Sequence, residues 1–178
     1  MELKGERIIL REYRKEDVGR IVEIANNKKI AKNLAGIFPY PYTLDEAKKW
    51  IEIATSPEKI NTHFVIEFER EMIGTISFSV KEAERKGTAV CGYWIGEDCW
   101  GKGFATEALK LMLDYAFKNY DIRRMEAGVY SWNPPSANVL EKCGFKKEGE
   151  LRKNICHFDE ICNELRYGIL KEEWEKKR

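Results

Sequence analysis

Two glycines in the run Trp100-Gly101-Lys102-Gly103-Phe104-Ala105-Thr106-Glu107-Ala108 stand where a strand-like segment gives way to a strongly amphipathic helix. Glycine lets the backbone turn tightly and approach a ligand closely, and the first turn of a helix leaves N–H groups without intrahelical partners at the positive end of its macrodipole. A pyrophosphate satisfies such donors, so the chemistry implied is anion binding. The run lacks the four residues between glycines and the Gly-Lys-Ser/Thr ending of a nucleotide P-loop, and it lacks the Gly-x-Gly-x-x-Gly of a dinucleotide site. A tight strand-to-helix connection with no ligand remains open on these residues alone.

The elements that must position this loop are legible on both sides. Thr88-Ala89-Val90-Cys91-Gly92-Tyr93-Trp94-Ile95 has the β-branched and aromatic content of a strand. Leu109, Met112, Leu113, Ala116, Phe117 and Tyr120 follow the spacing of a helix with one buried face. Upstream, residues 17–27 and 43–55 read as helices, the second with Thr43 as N-cap and Glu46 in the capping-box position. Residues 64–68 and 72–80 alternate as an antiparallel hairpin turning at Glu69-Arg70-Glu71, and the charged segment 81–87 reads as a solvated loop. Downstream, 125–131 gives a strand, 148–155 and 161–169 a last strand pair, and 171–177 a polar helix. Asn133 suits an N-cap, Pro134 the first helical position and Gly144 a left-handed helix end, so 134–143 is predicted as a short helix. The class is α+β with a mixed, mostly antiparallel sheet.

The glycine loop resembles the acyl-CoA-binding loop of the GNAT acetyltransferases, Gln/Arg-x-x-Gly-x-Gly/Ala, with Gly103 and Ala105 matching and Trp100 in the Gln/Arg position. Asn133-Pro134-Pro135-Ser136 followed by Glu141-Lys142-Cys143-Gly144-Phe145 is similar to the same family's second block. Glu6-Arg7-Ile8-Ile9-Leu10-Arg11, Lys15-Glu16-Asp17 and Phe38-Pro39-Tyr40-Pro41-Tyr42-Thr43 resemble the RimJ/RimL subgroup of ribosomal-protein N-terminal acetyltransferases, which extends the match over nearly the whole chain. The resemblance implies one N-acetyltransferase domain over residues 1–178, with a central sheet of about seven strands flanked by helices and two strands splayed to admit the pantetheine arm of acetyl-CoA.

It also implies site residues. Tyr93, Trp94 and Ile95 would line the thioester, the amides of Gly101, Lys102, Gly103, Phe104, Ala105 and Thr106 would hold the pyrophosphate, Asn133 would touch the pantetheine side, and Lys102 or Lys142 would approach phosphate. Glu97 is the first candidate base and Glu126 the alternative, each weighed against a surface carboxylate. The tyrosine acid that many family members carry seven residues after the Asn is here Leu140, and Ser136 matches the hydroxyl proposed for that role in the subgroup. The implied reaction is direct attack of an amine on acetyl-CoA in a ternary complex. A protein N-terminus is the leading acceptor; a polyamine, amino acid or aminoglycoside is the alternative, and a non-catalytic acyl-CoA-binding module the reading from another class.

Composition bounds the rest. The chain has 178 residues, within the single-domain range, and 31 basic against 30 acidic side chains, so no global field favours nucleic acid or an anionic membrane. No apolar run approaches a membrane span and residues 1–4 lack a signal core, which suggests the cytoplasm. Five cysteines, an odd number, fit a reducing compartment. Cys156, His157 and Cys162 lack paired Cys-x-x-Cys spacing, so no metal is expected. Cys91, Cys99 and Cys143 have no neighbouring His and read as buried hydrophobes, and His63 and His157, each in a strand-like segment, read as structural or exposed residues rather than catalytic ones. A homodimer is left open.

Overall fold

A computed structural model describes residues 1–36 and 38–177. Its strands are β1 (Glu2–Lys4), β2 (Ile8–Arg11), β3 (His63–Phe68), β4 (Glu71–Val80), β5 (Thr88–Ile95), β6 (Arg124–Tyr130), β7 (Lys146–His157) and β8 (Glu160–Leu170). Its helices are α1 (Asp17–Ala25), α2 (Lys28–Ala31), α3 (Leu44–Ala54), α4 (Phe104–Asn119), α5 (Pro134–Lys142) and α6 (Lys171–Glu175). The strands hydrogen-bond in the order β1-β2-β3-β4-β5-β6-β8-β7, eight among the described residues where about seven are expected. Pairs β1–β2, β2–β3, β3–β4, β6–β8 and β7–β8 are antiparallel and β5–β6 is parallel, which gives the α+β class.

Contacts divide the chain into two compact units, the first made of Met1–Ser77 with Tyr93–Leu111 and the second of Phe78–Gly92 with Met112–Arg178. In the first, Phe64, Val65 and Ile66 of β3 are fully buried on both faces, as a strand covered on both sides demands. The β3–β4 hairpin turns at Glu69 and Arg70, whose φ values of 50° and 68° are both left-handed, the sense that matches strand twist in a two-residue turn. Tyr13, Ile21, Tyr42, Ala47, Ile51 and Met72 pack as one cluster, with Trp50 and Trp94 against it. Thr43 caps α3 by accepting from the Glu46 N–H at 3.3 Å, as the spacing predicts.

A buried ionic knot ties three elements of this unit. The Arg11 guanidinium donates to Asp17 Oδ2 and Oδ1 at 2.8 Å each and to Glu67, joining β2, the first turn of α1 and β3. Burial alone would lower the Arg11 pKa, but the bonds and charges of Asp17 and Glu67 override it and raise it. His63 is buried beside Trp50, and burial followed by the nearby Lys59 charge pulls its imidazole down to about 4, so it is neutral in ordinary buffers.

In the second unit the residues of β6 and β8 that face each other alternate cleanly. Met125 with Ile169 and Ala127 with Tyr167 form a buried face, while Glu126, Gly128 and Arg166 occupy the other. Met112, Leu113, Ala116 and Phe117 of α4 are buried as their spacing predicts, and Ala137 and Leu140 of α5 are buried as well. The Trp174 indole of α6 donates to Asp114 Oδ1 at 2.8 Å. β7 is the edge strand; its register with β8 shifts between Lys147 and Gly149 and again between Leu151 and Ile155, where Lys153 takes φ 52°.

Asp17→Asn leaves the buried Arg11 with one carboxylate in place of two. The expected loss is about 3–5 kcal/mol of unfolding free energy, the magnitude for breaking a buried ion pair, measured by urea denaturation.

Candidate functional site

The glycine loop belongs wholly to the first unit. β5 ends at Ile95, a short 3-10 turn spans Glu97–Cys99, and α4 begins at Phe104. Gly101 and Gly103 take φ of 74° and 82°, the left-handed conformation that only glycine adopts without strain, which is why both positions are glycine. The Gly103 carbonyl accepts from Glu107 N–H at 3.1 Å and so starts the helical ladder, leaving the first-turn N–H groups outside it. This is the local geometry expected of a pyrophosphate cradle, and the residues present fit that group.

Trp100 has a structural task at the position where the loop pattern would have Gln or Arg. Its indole N–H donates to the Ile95 carbonyl at 2.6 Å and ties the loop back to the end of β5. Phe104 is buried against Phe68 at 4.6 Å between ring centroids, which pins the helix start. Lys102 is exposed, and Tyr93 and Trp94 are half-buried just upstream. Phe38 packs on Trp94 at 6.0 Å and on Tyr42 at 5.0 Å, so the aromatic segment before α3 meets the end of β5 through Phe38.

Gly74 of β4 passes so close to β5 that a Cβ there would meet the Trp94 carbonyl oxygen and lie 2.9 Å from Ile95 Cα. Glu97 accepts from Asn27 Nδ2 at 2.7 Å and from Lys29. Those two bonds, Lys29 first, hold its carboxyl below the usual range, so it is a weaker base than a free glutamate. It lines a small surface depression with Arg20, Glu23, Asn27, Gly96 and Asp98.

The second unit carries the remaining candidates. Parallel pairing of β5 with β6 covers Thr88–Arg124, Ala89–Met125 and Val90–Glu126, and it stops there although both strands run on. Glu126, at the last paired position, is buried; Arg85 donates to its two oxygens at 2.6 and 2.7 Å, with Arg166 at 3.6 Å and Arg124 at 3.8 Å. On β5, one residue beyond Val90, Cys91 is buried, and burial, then Cys143, pushes its thiol up to about 12.

Asn133 caps α5, its Oδ1 accepting from Ser136 N–H at 3.3 Å, with Pro134 in the first turn and Gly144 at φ 95° closing the far end. Asn133 and Ser136 thus share one helix start, whereas Lys142 is exposed at the opposite end of the same helix. Among the described residues no group of three or more His, Cys, Asp or Glu side chains could hold a metal, and no helix is long and apolar enough to cross a membrane.

Sequence reasoning missed two residues. Arg7 donates from Nη1 to the Lys102 carbonyl at 2.9 Å and stacks over the Phe104 ring at 4.9 Å. Arg85, in a segment read as solvated loop, is the main partner of Glu126. The signal for Arg7 was its place in the Glu6–Arg11 block, which carried a resemblance but no chemistry.

The chain matches the family model "Acetyltransferase (GNAT) domain" over residues 7–146. It is 30% identical to the SPbeta prophage-derived uncharacterized N-acetyltransferase YokL of Bacillus subtilis (strain 168), over 96% of this chain and 94% of that one. It is 36% identical to the ribosomal-protein-serine acetyltransferase of Escherichia coli (strain K12) over 51% of this chain and 50% of that one. The crystal structure of a GNAT-family acetyltransferase from Bacillus anthracis superimposes with a TM-score of 0.85 at 27% identity, covering 97% of this chain and 100% of the other.

Gly74→Ala forces β4 and the Trp94–Ile95 backbone apart. The expected cost is about 3 kcal/mol, the upper end for overpacking a tight contact, seen in chemical denaturation together with a changed tryptophan emission from Trp94.

Proposed function

The chain belongs to the GNAT acetyltransferase family, and we propose that it transfers acetyl from acetyl-CoA to the α-amine of a protein N-terminus, by direct attack in a ternary complex. Acetyl-CoA-dependent N-acetyl transfer is the family's activity. The observation that carries the acceptor is the 36% identity to a ribosomal-protein-serine acetyltransferase. We place the reaction in the cytoplasm, where the chain's five free cysteines stay reduced.

Acetyl-CoA supplies the thioester carbon and a thiol of pKa near 8.5, which departs readily. On the protein side, the amides from Gly101 to Thr106 bind the pyrophosphate, and Tyr93–Ile95 line the thioester. The backbone of Cys91 and Gly92, beyond the last β5–β6 pair, takes the peptide-like arm as an added strand would. Asn133 sets the start of α5, and Ser136 carries the proton to the departing sulfur. Direct attack is supported by the character of Cys91, whose raised thiol pKa makes it a poor nucleophile.

An α-amine titrates near 8, so about a tenth of it is neutral at pH 7 and solvent suffices to take its proton. Glu97 and Glu126 are read as framework carboxylates, since Glu97 is already paired with Lys29 and Glu126 with Arg85.

The test is CoA release from acetyl-CoA with Ala-, Ser- and Met-starting peptides beside polyamines, amino acids and aminoglycosides. Peptide-dependent release is expected, with intersecting initial-rate plots and kcat/KM rising with pH to a plateau above about 8. Release with small amines alone moves the acceptor to that class, and CoA binding without turnover on any acceptor makes the chain a binding module. Parallel plots contradict the ternary complex. Ser136→Ala should lower kcat about tenfold with KM for acetyl-CoA unchanged.

A further inference from the structure

The pyrophosphate loop is braced from outside its own motif. Arg7 stands just before β2, 95 residues from Lys102, and its Nη1 donates to the Lys102 carbonyl at 2.9 Å. In a trans peptide the C=O and the following N–H point in opposite directions. Fixing the Lys102 carbonyl on Arg7 therefore fixes the Gly103 N–H on the other side of the same plane, at one of the amides expected to face phosphate. Gly103, at φ 82° and with no side chain, does not restrain that plane itself.

Arg7 is itself held on three sides. Its Nε donates to Glu107 Oε2 at 3.0 Å, its backbone N–H donates to Glu107 Oε1 at 2.8 Å, and its guanidinium lies over the Phe104 ring at 4.9 Å. Ile8 N–H adds a further bond to Glu107 Oε1 at 3.2 Å. The second consequence is electrostatic. Glu107 stands in the first turns of α4, where a bare carboxylate would repel an incoming anion. Burial pushes its pKa up, but the Arg7 and Ile8 N–H groups and the Arg7 guanidinium outweigh that, so it stays ionised with its charge answered by Arg7.

We propose that Arg7 is a positioning residue for the acyl donor: it sets the Lys102–Gly103 peptide plane and neutralises Glu107, and so makes the loop selective for donors that carry a pyrophosphate. The proposal rests on the loop's role as the CoA site. A planar fork stacked on a ring has no equivalent in lysine, so Arg7→Lys keeps the charge and the backbone bond to Glu107 but loses the geometry.

The experiment measures binding of CoA by calorimetry and of pantetheine, which lacks the pyrophosphate, by ligand-observed NMR, for wild type, Arg7→Ala and Arg7→Lys. Expected are CoA affinities weakened about 10- to 100-fold in Arg7→Ala and several-fold in Arg7→Lys, with pantetheine affinity unchanged within about twofold in both. If Arg7→Ala does not fold, Arg7→Lys carries the test alone. CoA binding at wild-type strength in Arg7→Lys, or equal loss for CoA and pantetheine, overturns the proposal. Wild-type protein that binds no CoA sinks the donor reading itself, a separate outcome.

Discussion

The first turn of α4 stands behind Gly103, a residue with no side chain to cap it, and the neighbourhood is organised around that fact. α3 and α5 close their first turns with Thr43 and Asn133, each satisfying an N–H of its own helix. On the proposed reading of this helix start as an anion site, its stability comes from groups that brace the loop instead of a side-chain cap. Trp100 ties the loop to the Ile95 carbonyl at the end of β5 and Arg7 bonds to the loop's own Lys102 carbonyl, while Phe104 anchors the helix from its buried side. The departure of Trp100 from the family's loop pattern is then intelligible: the position serves to hold the loop.

Charge follows the same economy. With a net charge of +1 spread over 61 ionisable Lys, Arg, Asp and Glu side chains, every local field has to be built by pairing. Glu107, Glu97 and Glu126 each lie against cations, and the carboxylates that looked like acid–base candidates are engaged in holding elements together. On the proposed N-terminal acceptor, the low pKa of an α-amine and the good leaving ability of a thiol carry most of the proton chemistry, which asks little of any single side chain.

What the sequence made legible was local. Alternation over 64–68 and 72–80, helical spacing from Leu109 to Tyr120, and the Asn-Pro and Gly signals around α5 are set by residues a few positions apart, and these elements lie where expected. The glycine loop was readable for the same reason, since positive φ and a helix start leave marks in adjacent residues. The partners of the loop were not. Arg7 and Lys102 are 95 residues apart, Asn27 and Glu97 are 70 apart, and Arg85 and Glu126 are 41 apart, and no periodicity links such pairs. β1 escaped notice because three residues are too few to alternate. The base assigned to Glu97 depended on position alone, whereas its basicity depends on Lys29 and Asn27.

β7 offers a last consequence. A twelve-residue strand at the rim of a sheet exposes a long row of unmatched backbone groups, the kind of template on which a second chain can lay itself. Here the row is broken twice by bulges and studded with Lys146, Lys147, Glu148, Glu150, Arg152 and Lys153. A flat, uncharged strand of that length would invite fibrous stacking. The irregularity of this rim is therefore a colloidal property written into the backbone: bulges and charges make the edge a poor template for strand-on-strand stacking.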